Sequence, residues 1–213
     1  MKRIILSLIF GLTALSTSLS AQTEFYARAG TSIPFTPDQF STVWKSNLNY
    51  AFGFRLARSK TALIGLEFSH HDFLFDEIAA VESGMSPIQV ENLSGKLSSV
   101  NTLNLHLKWW PILSESKIRP ALIAGAGFSQ VKSLSTTSGF ADEKLQSGRA
   151  GSDINGLRKD EIAVSFNIGG ELLFRLMPNF GLVLSGAFTG MPGEESISGF
   201  TSFSLGISLG LPK

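Results

Sequence analysis

The chain has 213 residues, enough for one large β domain, and its 18 basic and 17 acidic side chains leave a formal net charge of +1, which gives no electrostatic case for a nucleic-acid partner. It contains no cysteine, which excludes disulfides, thiol catalysis and cysteine-ligated metal. Charged residues make up 16% of it, below the roughly 25% of a soluble domain.

Met1-Lys2-Arg3, the apolar run Ile4 to Leu15 and the small residues Ser18-Leu19-Ser20-Ala21 read as a secretory signal peptide over residues 1–21, leaving 22–213 as one exported domain. Without Lys2 and Arg3 the chain carries 16 basic and 17 acidic side chains, so the mature charge is near −1. Beyond residue 21 no apolar run approaches the ~18 residues of a spanning helix, so any membrane crossing must use closed β-structure.

The first strand is expected from Glu24 to about Ser32, with Phe25, Ala27 and Ala29 alternating against Tyr26, Arg28 and Gly30. A polar stretch, Pro34 to Ser46, precedes a second strand, Asn47 to Arg58, and only Ser59-Lys60 separates that from a third beginning near Ala62, which makes a tight hairpin. In the third strand Ala62, Ile64, Leu66, Phe68 and His70 face opposite to Gly65, Glu67, Ser69 and His71. A gap from Phe73 to Lys96 follows, and within it Phe75 to Ser83, ended by Gly84, predicts one or two helical turns.

The fourth strand is expected over Leu97 to Trp110 and the fifth over Lys117 to Val131, joined by the turn Pro111 to Ser116. Lys132 to Asp160, rich in Ser, Gly and both signs of charge, reads as a long loop. Ile162 to Leu176 and Phe180 to Thr189 are the clearest period-two segments, joined at Met177-Pro178-Asn179. A last gap, Gly190 to Ser198, leads to the eighth strand, in which Phe203, Leu205, Ile207, Leu209 and Leu211 alternate with Ser and Gly.

Long and short connections therefore alternate, which describes an all-β, antiparallel, up-and-down barrel of eight strands with short turns on one rim and long loops on the other. On each strand one face is bulky and apolar, and the other mixes Gly, Ala, Ser and Asn with a few charges. A water-facing surface would carry more Lys, Glu and Thr, so the small face is expected inside a narrow barrel and the large face against lipid. A soluble secreted barrel carrying a small ligand is the alternative that would put the large residues inside.

Lys117-Ile118-Arg119-Pro120-Ala121-Leu122-Ile123-Ala124-Gly125-Ala126-Gly127-Phe128-Ser129 and Gly169-Gly170-Glu171-Leu172-Leu173-Phe174, leading to Pro178-Asn179-Phe180-Gly181-Leu182, resemble the small outer-membrane β-barrel domain family. The resemblance is one of pattern over nearly the whole mature chain. It implies a transmembrane barrel with short periplasmic turns and long extracellular loops, in the outer membrane of a Gram-negative-type envelope. Many barrels of that family finish on an aromatic residue, whereas this sequence ends Leu211-Pro212-Lys213.

Arg28, Arg55, Glu67, His106, Lys108, Arg119, Glu171 and Arg175 all fall on the inward parity. Lone charges in so narrow a lumen would be costly, so they are expected to be paired and hydrogen-bonded as a structural network, with a gated proton or ion path as the functional alternative. Ser69-His70-His71-Asp72 looks reactive, but consecutive strand residues point to opposite faces and cannot form a triad alone. His70 is expected on the lipid face, near Ser99 or Asn101 of the next strand, where acyl transfer on a lipid is the chemistry to consider. The spacing of His and Ser two apart that marks barrel lipid deacylases is missing, since His70 is followed two residues on by Asp72.

No metal or cofactor motif stands out: Asp153-Ile154-Asn155-Gly156 places its Gly too early for a calcium loop and reads as a turn. Trp44, Trp109, Trp110, Phe25, Phe73, Phe174 and Phe180 lie near strand ends and are expected to form interfacial girdles. The resulting expectation is a non-enzymatic outer-membrane barrel in contact with membrane lipid. Its loops 73–96 and 132–160 would serve an extracellular or envelope protein partner, adhesion or envelope support.

Overall fold

Period-two alternation commits each segment to an extended backbone, and its exposed N–H and C=O groups must then find partners on both sides. The computed structural model describes residues 23–36, 38–57, 59, 61–93, 97–111, 116–132, 161–192 and 197–210, and in it those partners are supplied by closure. The strands are β1 (Thr23–Thr36), β2 (Trp44–Ala57), β3 (Ala62–Phe75), β4 (Leu97–Trp109), β5 (Ile118–Lys132), β6 (Glu161–Met177), β7 (Phe180–Pro192) and β8 (Ile197–Gly210). Each pairs antiparallel with the next, and β1 pairs with β8, so the sheet has no free edge. The expected signal peptide and almost all of the loop 132–160, with its Asp153-Ile154-Asn155-Gly156 turn, lie outside the described residues.

Several strands run further toward the loop side than alternation alone indicates. β1 continues through Pro34 to Thr36, β2 begins at Trp44, β3 extends to Phe75, β7 reaches Pro192 and β8 starts at Ile197. The stretch Pro34 to Ser46 is therefore mostly strand and a short helix, α1 (Asp38–Val43), and two helices, α2 (Glu77–Glu82) and α3 (Pro87–Leu93), occupy much of 73–96. Two irregularities hide this from the sequence. Three residue steps from Ser46 to Asn49 on β2 face two on β3, from Phe73 to His71, and the register of β1 against β8 shifts between Pro34 and Thr36. Each irregularity breaks the period-two pattern on which the strand ends are judged.

The helix expected before Gly84 is α2. Asp76 caps it by accepting a hydrogen bond from the Ala79 amide at 3.3 Å, and Gly84 leaves it at φ +88°, a left-handed conformation that suits glycine. Lys45 on β2 lies 3.0 Å from the Asp76 carboxylate and ties this corner to the barrel rim. The hydrogen bond from Lys45, reinforced by that from Ala79, holds the Asp76 carboxyl below its ordinary range. A carboxyl with a lowered folded value contributes stability above its unfolded value, about 3.9, and loses that contribution as pH falls through the folded value. Amide protection over 77–82, relative to the intrinsic exchange rate at each pH, is therefore expected to fall below about pH 4, and Asp76→Asn should remove that pH dependence.

The largest apolar core lies inside the barrel at the loop side. Phe73, Phe75, Val100, Val131, Met191 and Phe200 point inward and meet Phe40 and Val43 of α1, Ala80 of α2 and Val90 of α3. The ring of Phe40 packs edge-on to Phe73 at 4.9 Å, and Phe73 to Phe200 at 5.3 Å. The loop helices thus close that mouth with a dry plug. Phe40→Ala should leave a cavity worth about 3–5 kcal/mol, enough to free α1 from the mouth without unfolding the sheet; protease cleavage within 38–43 of the folded barrel is the measurement.

Burial at the two mouths, Trp44 and Phe73 in the plug and Trp110 with Leu63 and Ala121 at the short-turn end, corrects part of the expected girdle. Trp44, Phe73 and Trp110 are buried inside the barrel rather than exposed at an interface. Phe73 shares the odd parity of Glu67 and Ser69, and Trp110 the even parity of His106 and Lys108, so both turn inward with their neighbours. Trp44 shares parity with the outward Leu48 and Tyr50, but the bulge between them reverses its direction. Phe25 and Trp109 are exposed on the outer wall, and Phe174 and Phe180 are half-buried.

Candidate functional site

The outer wall and the lumen divide by parity. Phe52, Leu103, Leu105, Phe128, Ile168 and Leu205 are each more than half exposed on the outside. Leaving such a side chain in water forgoes about 1.5–3 kcal/mol each, so a wall of them is the surface of a protein meant for hydrocarbon. The inside carries Ser, Asn, His and all the fully buried charges.

Those charges form one connected group. Glu67 on β3 accepts two hydrogen bonds from Arg28 Nη2 of β1, at 2.7 and 2.8 Å, and one from the Tyr26 hydroxyl at 2.7 Å. Arg28 also donates to Ser185 Oγ at 3.1 Å and lies 3.8 Å from Glu171. Glu171 on β6 accepts from both terminal nitrogens of Arg55, at 3.1 and 3.4 Å, and is in contact with Lys108. Lys108 on β4 donates to Glu24 at 3.1 Å; Ser208 donates to the same carboxylate at 2.8 Å, and Arg55 lies 3.6 Å from it. The Arg55 guanidinium stacks 3.9 Å above the Tyr26 ring. His106 lies 3.7 Å from Glu67 and shares a 2.8 Å hydrogen bond with Asn167.

Three cations, Arg28, Arg55 and Lys108, thus meet three carboxylates, Glu24, Glu67 and Glu171, and the formal charges cancel without external ions. Cross-strand register explains how residues as far apart as 184 positions meet, because closure pairs β1 with β8 and sets it near β7 and β6. Gly53 faces inward beside Tyr26, where an added methyl would lie 2.6 Å from the phenolic oxygen; glycine makes the room that lets the phenol reach Glu67. Gly53→Val would also press its Cβ against the Leu66 carbonyl, so it is expected to displace Tyr26 and destabilise the barrel, which a urea titration in detergent would register.

Of the eight charged residues expected in the lumen, Arg28, Arg55, Glu67, His106, Lys108 and Glu171 are brought together. Arg119 and Arg175 are not. They stand at the short-turn mouth, half-buried, and neither makes an ion pair among the described residues. Two members, Glu24 and Tyr26, escape the sequence reading although they share the parity of Arg28. Glu24 opens the first strand, where alternation is too short to be trusted.

Below the network, the mouth holds a cavity of about 110 Å³ lined by Glu24, Trp110, Arg119, Arg175, Asn179 and Ser208 among others. Short backbone links fix its wall: Trp110 N–H donates to Thr61 C=O at 2.8 Å, Arg175 to Lys117 at 2.7 Å and Gly210 to Asn179 at 2.8 Å. The Arg119 guanidinium lies 4.7 Å over the Trp110 ring.

On the outer wall, both ring nitrogens of His70 are engaged, Nδ1 with Asn101 Oδ1 at 2.7 Å and Nε2 with Asp72 Oδ1 at 2.9 Å. Tyr50 stacks on the ring at 4.8 Å. Among the described residues both nitrogens are engaged by acceptor oxygens and neither meets a hydroxyl. His71 turns inward to Ser32 and Ser69, at 2.7 and 3.0 Å. Among the described residues no group of His, Asp and Glu has a metal-ligating arrangement.

No protein-family model matches the chain, and no curated protein does. Solved structures resemble it. Neisserial surface protein A superposes with a TM-score of 0.55 at 8% identity, over 88% of this chain and 96% of that one. The N-terminal β-barrel domain of Pseudomonas aeruginosa OprF gives 0.49 at 12% identity, over 90% of this chain and 100% of that one. The outer membrane protein OprG of Pseudomonas aeruginosa gives 0.49 at 10% identity, over 91% and 98%. With β1 to β8 closed in sequence order and the large side chains outside, this chain has the fold of the small eight-stranded outer-membrane β-barrels.

Proposed function

We propose that the protein resides in the outer membrane of a Gram-negative-type cell as a rigid, non-catalytic barrel whose role is structural or adhesive, carried by its loop-side surface. The observation that carries this reading is a lumen filled twice over. A charge-balanced network occupies the middle, and the Phe40–Phe73–Phe200 plug closes the loop mouth, so the barrel supports a surface rather than a passage. Exposed Ile78, Val81 and Ile88 on α2 and α3 supply apolar contact area on that surface, and β5 ends at Lys132 and β6 begins at Glu161 on the same side.

Fractionation should recover the protein with outer membranes. On intact cells, added protease should cut within 132–160 while the barrel stays protected and keeps a heat-dependent gel mobility. Release into buffer without detergent would count against the membrane assignment. Full protection of 132–160 in intact cells, with cleavage after lysis, would count against an outward loop.

The His70 cluster is read as a headgroup-level polar patch of the wall. His70→Ala should leave the envelope lipid profile unchanged by mass spectrometry. A lost or gained acyl chain in that variant would instead support acyl transfer.

A further inference from the structure

The lumen network is self-neutralising, so among the described residues the two guanidiniums at the short-turn mouth are a surplus. Arg28, Arg55 and Lys108 each have a carboxylate partner, whereas Arg119 and Arg175 have none among the described residues. The one carboxylate among the described residues that lines their cavity, Glu24, is already engaged by Lys108, Arg55 and Ser208. Acceptors are short as well as negative charge: Trp110 Nε1 and Arg119 Nε, both of cavity-lining residues, are buried N–H groups with no hydrogen-bond acceptor. Asn179 and Ser208 add polar groups to the same wall.

We propose that this cavity binds a small oxyanion, of the phosphate or carboxylate class, between Arg119 and Arg175. A planar guanidinium offers paired donors that match two oxygens of such a group, and two of them converging on one cavity of about 110 Å³ set both its charge and its size. The Trp110 ring beneath Arg119 orients that guanidinium and shields one side of it from water. The site stands apart from the loop surface and does not depend on the role proposed for it.

The test uses the full-length protein, ¹⁵N-labelled in detergent micelles, with the indole N–H resonance of Trp110 assigned from the Trp110→Phe spectrum. Sodium phosphate and sodium acetate are titrated separately against sodium chloride at matched ionic strength. A saturable shift of the Trp110 resonance with phosphate or acetate, absent with chloride, is the expected result, and the anion that saturates first identifies the class. Arg175→Gln, which leaves the ring contact intact, and Arg119→Gln should each raise the apparent Kd about tenfold or more, as losing a charged hydrogen bond does. Retained spectral dispersion shows that either variant still folds. A wild-type shift that is linear or common to chloride means a merely hydrated mouth and overturns the proposal, as does unchanged affinity in both variants.

Discussion

Glu171→Gln should lower the free energy of unfolding by about 3–5 kcal/mol, because it keeps the shape of the side chain while leaving buried cations uncompensated. Arg55 and Lys108 have no exposed side-chain surface, and of the two carboxylates they share, Glu171 and Glu24, Glu171 is the fully buried one. The measurement is a urea titration in detergent, with the slope of the transition checked for constancy. Glu171→Gln with Lys108→Met supplies the internal control, since it leaves Arg28 and Arg55 with Glu24 and Glu67 and restores formal neutrality. The pair should be less destabilised than Glu171→Gln alone, whereas two independent losses would add. Simple addition would mean that the charges act as separate contacts and that neutrality of the lumen is not what holds them.

That network also shows what can be read from the chain alone. Parity along β3, β4 and β6 places Glu67, His106, Lys108 and Glu171 inside from their immediate neighbours, because strand geometry is local. Which charges meet is not local. It depends on the register across eight strands and on the level each residue reaches along the barrel, so Arg28, Arg119 and Arg175 look equivalent in sequence while only Arg28 joins the pairs. The loop-side plug is hidden for another reason. Its aromatic residues come from several strands and from a six-residue helix, α1, too short to leave a periodic trace, and the β2 bulge reverses Trp44. Phe73 and Trp110 are different: their own parity points inward, and nearness to a strand end does not override it.

Leu105→Arg is the sharper test of sidedness. Leu105 is 58% exposed, so on a soluble protein arginine there would change stability by no more than about 0.5 kcal/mol. Against lipid it should cost about 2–4 kcal/mol near the midplane and only ~0–1 near an interface. β4 contains both environments on one face: Leu103 and Leu105 lie mid-strand, while Leu97 lies at its loop end beyond Ser99 and Asn101. Folding free energies in vesicles should therefore fall steeply for Leu105→Arg and little for Leu97→Arg. A soluble surface would treat the two positions alike, since water has no depth, so the difference between them measures the hydrocarbon itself and cancels whatever arginine does to the strand.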